Sequence, residues 1–79
     1  MKITVKLFGT LAMGFSGYDP VTGMDIDIPD GAKIMDIFAR LDISAHEGCF
    51  VSMNNRVVGK DQKLTGNATV LIFQALAGG

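Results

Sequence analysis

Apolar and polar positions alternate at the start of the chain, where Ile3, Val5 and Leu7 interleave with Lys2, Thr4, Lys6 and Phe8. A period of two sends alternate side chains to opposite faces of an extended segment. The pattern therefore predicts a first strand with one buried face. Gly9 and Thr10 end it. Residues 11–23 hold Gly14, Gly17, Pro20 and Gly23 and predict a long connection, with one helical turn near 11–13. Met24, Ile26 and Ile28 then alternate with Asp25 and Asp27, which predicts a second strand, antiparallel to the first, with acids on its outer side. Pro29-Asp30-Gly31 is a turn signal.

The period changes at residue 34. Ile34, Ile37, Phe38 and Leu41 stand at i, i+3, i+4 and i+7, the apolar stripe of an amphipathic helix. Asp36 and Arg40 on the polar side form an i,i+4 pair worth ~0.3 kcal/mol. Lys33 occupies the position where a Ser, Thr or Asp cap is expected, so the helix start is poorly marked. A connection over 42–48 leads to a short strand, Phe50 to Met53. Asn54-Asn55 then tolerates the positive φ of a tight turn. Val57-Val58 is a further short strand. Residues 60–67 are polar and turn-rich, with Leu64 as apolar anchor, and Thr69 to Gln74 reads as the last strand.

Strand, strand, helix, strand, strand, strand is the order of an α+β domain with a mixed sheet and one main helix packed on one face. In the β-grasp version of this arrangement the first and last strands lie parallel at the sheet centre. The run Val70-Leu71-Ile72-Phe73 suits a central strand, which is apolar on both faces. The expected organisation is one domain over residues 1–74 and a flexible tail over 75–79.

Composition narrows the function classes. A chain of 79 residues fits one domain, burying roughly 60% of the surface of its unfolded form. One cysteine, Cys49, cannot make a disulfide framework, and one Cys with one His, His46, cannot complete a structural zinc site. The net charge of −1 comes without a basic stripe, so no nucleic acid is expected. No apolar run is long enough for a membrane span. The alternating N-terminus lacks the h-region of a signal peptide, so a mature start at Met1 and a cytoplasmic location are expected.

The chemistry is concentrated at the end, Phe73-Gln74-Ala75-Leu76-Ala77-Gly78-Gly79. Five residues beyond the last strand reach up to ~16 Å when extended. Without Cβ atoms, Gly78 and Gly79 can enter a narrow channel. The Gly79 carboxylate can thus be delivered into another protein's active site and attack the α-phosphate of ATP. Positioning, Mg²⁺ and charge stabilisation would come from that partner. A frayed terminus of small residues is the plain alternative. Strand parity points Val70 and Ile72 to the core and Leu71 and Phe73 outward, with Leu76 and Ala77 following in the tail. An exposed Phe beside such a tail suits a docking surface, unless the 11–23 connection covers it.

Together these residues make the chain resemble the MoaD/ThiS family of sulfur carriers, ubiquitin-like β-grasp proteins. The resemblance rests on residues 1–8, Asp30-Gly31-Ala32, Val51-Ser52-Met53-Asn54, Leu64-Thr65-Gly66-Asn67 and 73–79. Lys33 and Asn67 depart from the family's usual cap and turn residues. The resemblance implies that an ATP-dependent adenylyltransferase of the ubiquitin-activating type adenylates Gly79, using ATP and Mg. It implies that a sulfur donor such as a cysteine desulfurase converts the adenylate to a thiocarboxylate. The acceptor would be the large subunit of molybdopterin synthase or a thiazole synthase. The chain would be a protein co-substrate binding no cofactor or metal of its own, with Gly79 as carrier and Gly78 as the steric requirement beside it. The long first connection is similar to the molybdopterin branch, the tail to the thiamine branch; the former is favoured.

Other residues carry weaker expectations. Cys49 reads as a small buried hydrophobe, and His46 has no second ligand in view. Asp25, Asp27 and Asp30 mimic a metal cluster, but Asp25 and Asp27 alternate on an exposed strand face and read as a solvated edge that discourages strand pairing. No phosphate-binding glycine motif occurs. Two further functions stay open: a ubiquitin-like modifier joined to lysines through Gly79, and a β-grasp interaction module that does not use its tail.

Overall fold

The computed structural model describes residues 1–9, 17–19, 21–42 and 49–74. The helical turn expected near residue 11, His46 and the tail residues 75–79 lie outside the described residues, as do the side chains of Cys49 and Gln74.

Alternation produces the first hairpin. Strand β1 (Lys2–Leu7) buries Ile3, Val5 and Leu7. It pairs antiparallel with β2 (Met24–Asp27), from Lys2 opposite Asp27 to Val5 opposite Met24. Ile28, expected inside the strand, falls just beyond it; its N–H donates to Met1 O at 2.9 Å and its side chain stays in the core. The chain enters β2 through Gly23 at φ +74°, where an added Cβ would lie 2.6 Å from Val5 O. Only glycine permits this approach.

Helix α1 (Ile34–Leu41) has the expected bounds, with Ile34, Ile37 and Phe38 buried. Its start is held by a device that the lysine at the cap concealed. Lys33 has no acceptor to offer, but the Asp36 carboxylate reaches back and accepts from the Lys33 N–H at 2.8 Å. This is the reciprocal half of a capping box, and it engages the acid that stands i,i+4 from Arg40. Asp42 ends the helix at φ 57°.

Strands β3 (Cys49–Met53) and β4 (Arg56–Val58) form the second hairpin. Asn54 and Asn55 between them stand at φ 50° and 71°, the left-handed pair that a two-residue hairpin needs. Asn67 adopts φ 62° in the turn before β5 (Thr69–Gln74). The departure from the family pattern at that position is thus filled by a residue type that tolerates the left-handed region.

The sheet order is β2-β1-β5-β3-β4, with β5 parallel to β1 and antiparallel to β3. β5 is the central strand, as its apolar run requires. The inward residues Ile3, Val5, Val70 and Ile72 meet Ile34 and Ile37, all fully buried between sheet and helix. Leu64 anchors the 60–67 segment, its N–H donating to Ala32 O at 2.8 Å.

Candidate functional site

β5 divides its side chains as parity requires. Val70 and Ile72 are fully buried under the helix; Leu71 is half-buried and Phe73 exposed on the opposite face. The parallel register sets Leu7 beside Ile72, and the Phe8 N–H donates to Ile72 O at 3.0 Å. Phe8 therefore lands next to Phe73. Their rings stack with centroids 4.6 Å apart and planes 12° from parallel. On the other side of β5 the antiparallel register puts Phe50 opposite Phe73. Phe8, Phe73 and Phe50 thus form a row across β1, β5 and β3, with exposures of 38%, 36% and 59%. The stacked Phe8 and Phe73 rings support one another, and Phe50, opposite Phe73 in register, extends the apolar ledge onto β3.

The next row carries Lys6, Leu71, Ser52 and Val57. Ser52 is buried, whereas Val57 is 80% exposed. Beyond it the face turns polar. The Thr4 hydroxyl donates to Asp25 Oδ1 at 2.8 Å, and the Thr69 N–H donates to Asn54 Oδ1 at 3.1 Å. Among the described residues, the apolar part of this face is therefore confined to the end of the sheet at which β5 finishes. A cavity of about 270 Å³, lined by Asn54, Asn55, Thr69 and Leu71, indents its border. A wider one, of about 540 Å³, lies on the helix side between the 28–32 turn and Asp36, Ala39 and Arg40. Among the described residues no cluster of His, Cys, Asp or Glu is arranged to hold a metal ion, and no helix is long and apolar enough to cross a membrane.

Of the residues singled out in the sequence, Phe73 and Leu71 stand where parity put them. Leu76, Ala77, Gly78 and Gly79 lie outside the described residues. Sequence reasoning did not select Phe8 and Phe50. Phe8 is in the polar phase of the β1 alternation, after Lys2, Thr4 and Lys6. A large apolar residue in a polar phase was the available signal, but its neighbour depends on pairing across more than sixty residues of chain.

Fold and outer face together define a ubiquitin-like β-grasp domain with an apolar ledge at the C-terminal end of its central strand. The ThiS family pattern matches residues 5–79, and the chain belongs to that family. Solved structures share the fold at low identity. SAMP1 from Haloferax volcanii matches with a TM-score of 0.73 at 15% identity, covering 100% of both chains. A putative molybdopterin converting factor, subunit 1, from Pyrococcus furiosus matches with a TM-score of 0.70 at 19% identity, covering 95% of this chain and 98% of its own. A second structure of H. volcanii small archaeal modifier protein 1 gives 0.71 at 13% identity over the same shares. No curated protein sequence matches.

Proposed function

We propose that this chain is a sulfur carrier: Gly79 is adenylated, converted to a thiocarboxylate and used to donate sulfur in cofactor biosynthesis. The observation that carries the reading is the exposed Phe8, Phe73 and Phe50 row at the end of β5, directly before the segment that ends in Gly78-Gly79, in a chain of the ThiS family. The body docks through the ledge, and the tail carries the reacting carboxylate. Docking needs the large apolar side chains, whose burial at a partner's surface holds the domain in place. Chemistry needs the absence of side chains, so that the terminal group fits a narrow site.

In this reading an adenylyltransferase of the ubiquitin-activating type binds the ledge and ATP with Mg²⁺. A Gly79 carboxylate oxygen attacks the α-phosphorus and pyrophosphate leaves. The terminal sulfur of a persulfide, supplied by a donor such as a cysteine desulfurase, attacks the acyl carbon and expels AMP. A second thiol cleaves the resulting sulfur–sulfur bond, leaving the thiocarboxylate on Gly79. The chain acts as co-substrate, since the groups that lower each barrier belong to the partners. The long 8–23 connection favours molybdopterin or tungsten-pterin synthesis, with the synthase large subunit as acceptor. Thiamine thiazole formation on a thiazole synthase is next. The proposed location is the cytoplasm.

A second reading has a specific support: the whole-length likeness to SAMP1 and small archaeal modifier protein 1. In it the adenylated Gly79 passes to lysine amines of other proteins. Mass spectrometry separates the two. Incubation with ATP, an activating enzyme and a persulfide donor replaces one oxygen by sulfur if the chain is a carrier. Higher-mass lysine adducts would instead identify a modifier, and an unchanged mass with several activating enzymes would leave only a β-grasp interaction module.

A further inference from the structure

β1 outruns its neighbour. Thr4 and Phe8 direct their N–H groups to β5, where Ala68 O and Ile72 O accept at 2.9 and 3.0 Å. Backbone groups alternate along a strand, so those of Leu7 face the β2 side. The β1–β2 pairing stops at Val5 and Met24, which among the described residues leaves Leu7 without a strand partner there. An unpaired, part-buried backbone N–H and C=O at this point would be costly.

Tyr18 fills the gap. Its hydroxyl oxygen accepts from the Leu7 N–H at 2.6 Å, and its O–H donates to Leu7 O at 3.3 Å. One phenol thus makes both bonds that a paired strand residue would make. Its ring, half-buried, packs against the core. The turn that delivers it is itself tied down. Asp19 Oδ1 accepts from the Val21 N–H at 2.8 Å, Asp19 O accepts from the Gly23 N–H at 2.8 Å, and Gly23 lies against Val5. The residue after Leu7 is Phe8, whose ring stacks on Phe73.

We propose that Tyr18 is a positioning residue of the docking ledge, standing in for a strand partner at Leu7 and so fixing the backbone from which Phe8 projects against Phe73. It does not touch the carboxylate chemistry. It sets the geometry of the aromatic row, and through that row the affinity for the activating partner. The proposal rests on the carrier reading for its binding consequence only; the geometric consequence stands without it.

The test is Tyr18→Phe, which keeps the ring in the core and removes only the hydroxyl. The Leu7 amide should exchange with solvent at least about tenfold faster, with Val5 and Ile72 protection retained. Nuclear Overhauser contacts between the Phe8 and Phe73 rings should weaken. In ATP–pyrophosphate exchange driven by a ubiquitin-activating-type adenylyltransferase, the KM for the chain should rise about three- to tenfold, the range that one hydrogen bond supports. The kcat at saturation should hold, because the tail is unaltered. A role confined to stability would shift the urea midpoint without this split between KM and kcat. Unchanged Leu7 exchange and ring contacts would overturn the proposal, and so would changed ring contacts with an unchanged KM. Should the wild-type chain fail to be adenylated at all, the carrier reading fails, while amide exchange and ring contacts still decide the positioning role.

Discussion

Phe8 and Phe73 stack face to face, 4.6 Å between ring centroids, on the side of the sheet away from the helix. They come from the ends of two strands that run parallel at the sheet centre. Two exposed rings held against each other lose little further freedom when a partner covers them, so they suit a docking role better than two independent side chains would.

The first prediction concerns this pair. Phe8→Ala and Phe73→Ala should each weaken binding to the activating enzyme by ~1–3 kcal/mol. The double variant should lose less than the sum of the two, with a coupling of ~0.5–1.5 kcal/mol. Titration calorimetry on the four proteins measures this. Strictly additive losses would mean that the rings meet the partner separately.

The tail gives a second prediction. Deletion of Gly79, or Gly79→Ala, should abolish thiocarboxylate formation and leave the unfolding temperature unchanged, because the core among the described residues, from Ile3 to Ile72, needs no group at position 79. Mass spectrometry and a thermal melt report the two halves. Normal sulfur loading of the truncated chain would refute the assignment of Gly79 as carrier.

Gly23 allows a third. At φ +74° a side chain is strained, and its Cβ would press on Val5 O at 2.6 Å. Gly31 has φ +86° but open space around it. Gly31→Ala should therefore cost only the backbone penalty, ~1–3 kcal/mol, and Gly23→Ala clearly more. Urea unfolding of both variants isolates the steric part. Equal losses would show that β1 yields to the added methyl at no cost.

A fourth prediction follows from Asp19. Its carboxyl is held below the ordinary carboxylate range, chiefly by the Val21 N–H and next by the Thr22 N–H. The folded form therefore favours the charged state. Its stabilising contribution is complete above the unfolded-state pKa and is lost as pH falls through the lower folded-state value. Asp19→Asn should lose less stability than the wild type on going from about pH 5 to about pH 2. Matched pH profiles of the unfolding midpoint test it, and identical profiles would show that this turn contributes nothing to acid sensitivity.

Much of the fold was legible along the chain because burial imposes a period. The bounds of the helix Ile34–Leu41 and of the strand Thr69–Gln74 follow from the pattern, since each buries one regular face. The other strand ends moved by a residue or so; there the hydrogen bonds of the neighbouring segment, not the pattern, decide the limit. The helix start is not legible at Lys33 because its own side chain offers no acceptor; the acceptor comes from Asp36 one turn on. Leu71 and Phe73 were legible as outward residues by parity alone.

By itself the sequence determined the order of elements and the inward and outward sets on each strand. Only the tertiary structure decided what stands beside what: Phe8 and Phe50 on either side of Phe73, and Tyr18 in place of a strand at Leu7. Periodicity is a property of one segment and its distance from a buried face. Adjacency depends on the register between strands far apart in the chain, which is set by the packing of the whole core at once.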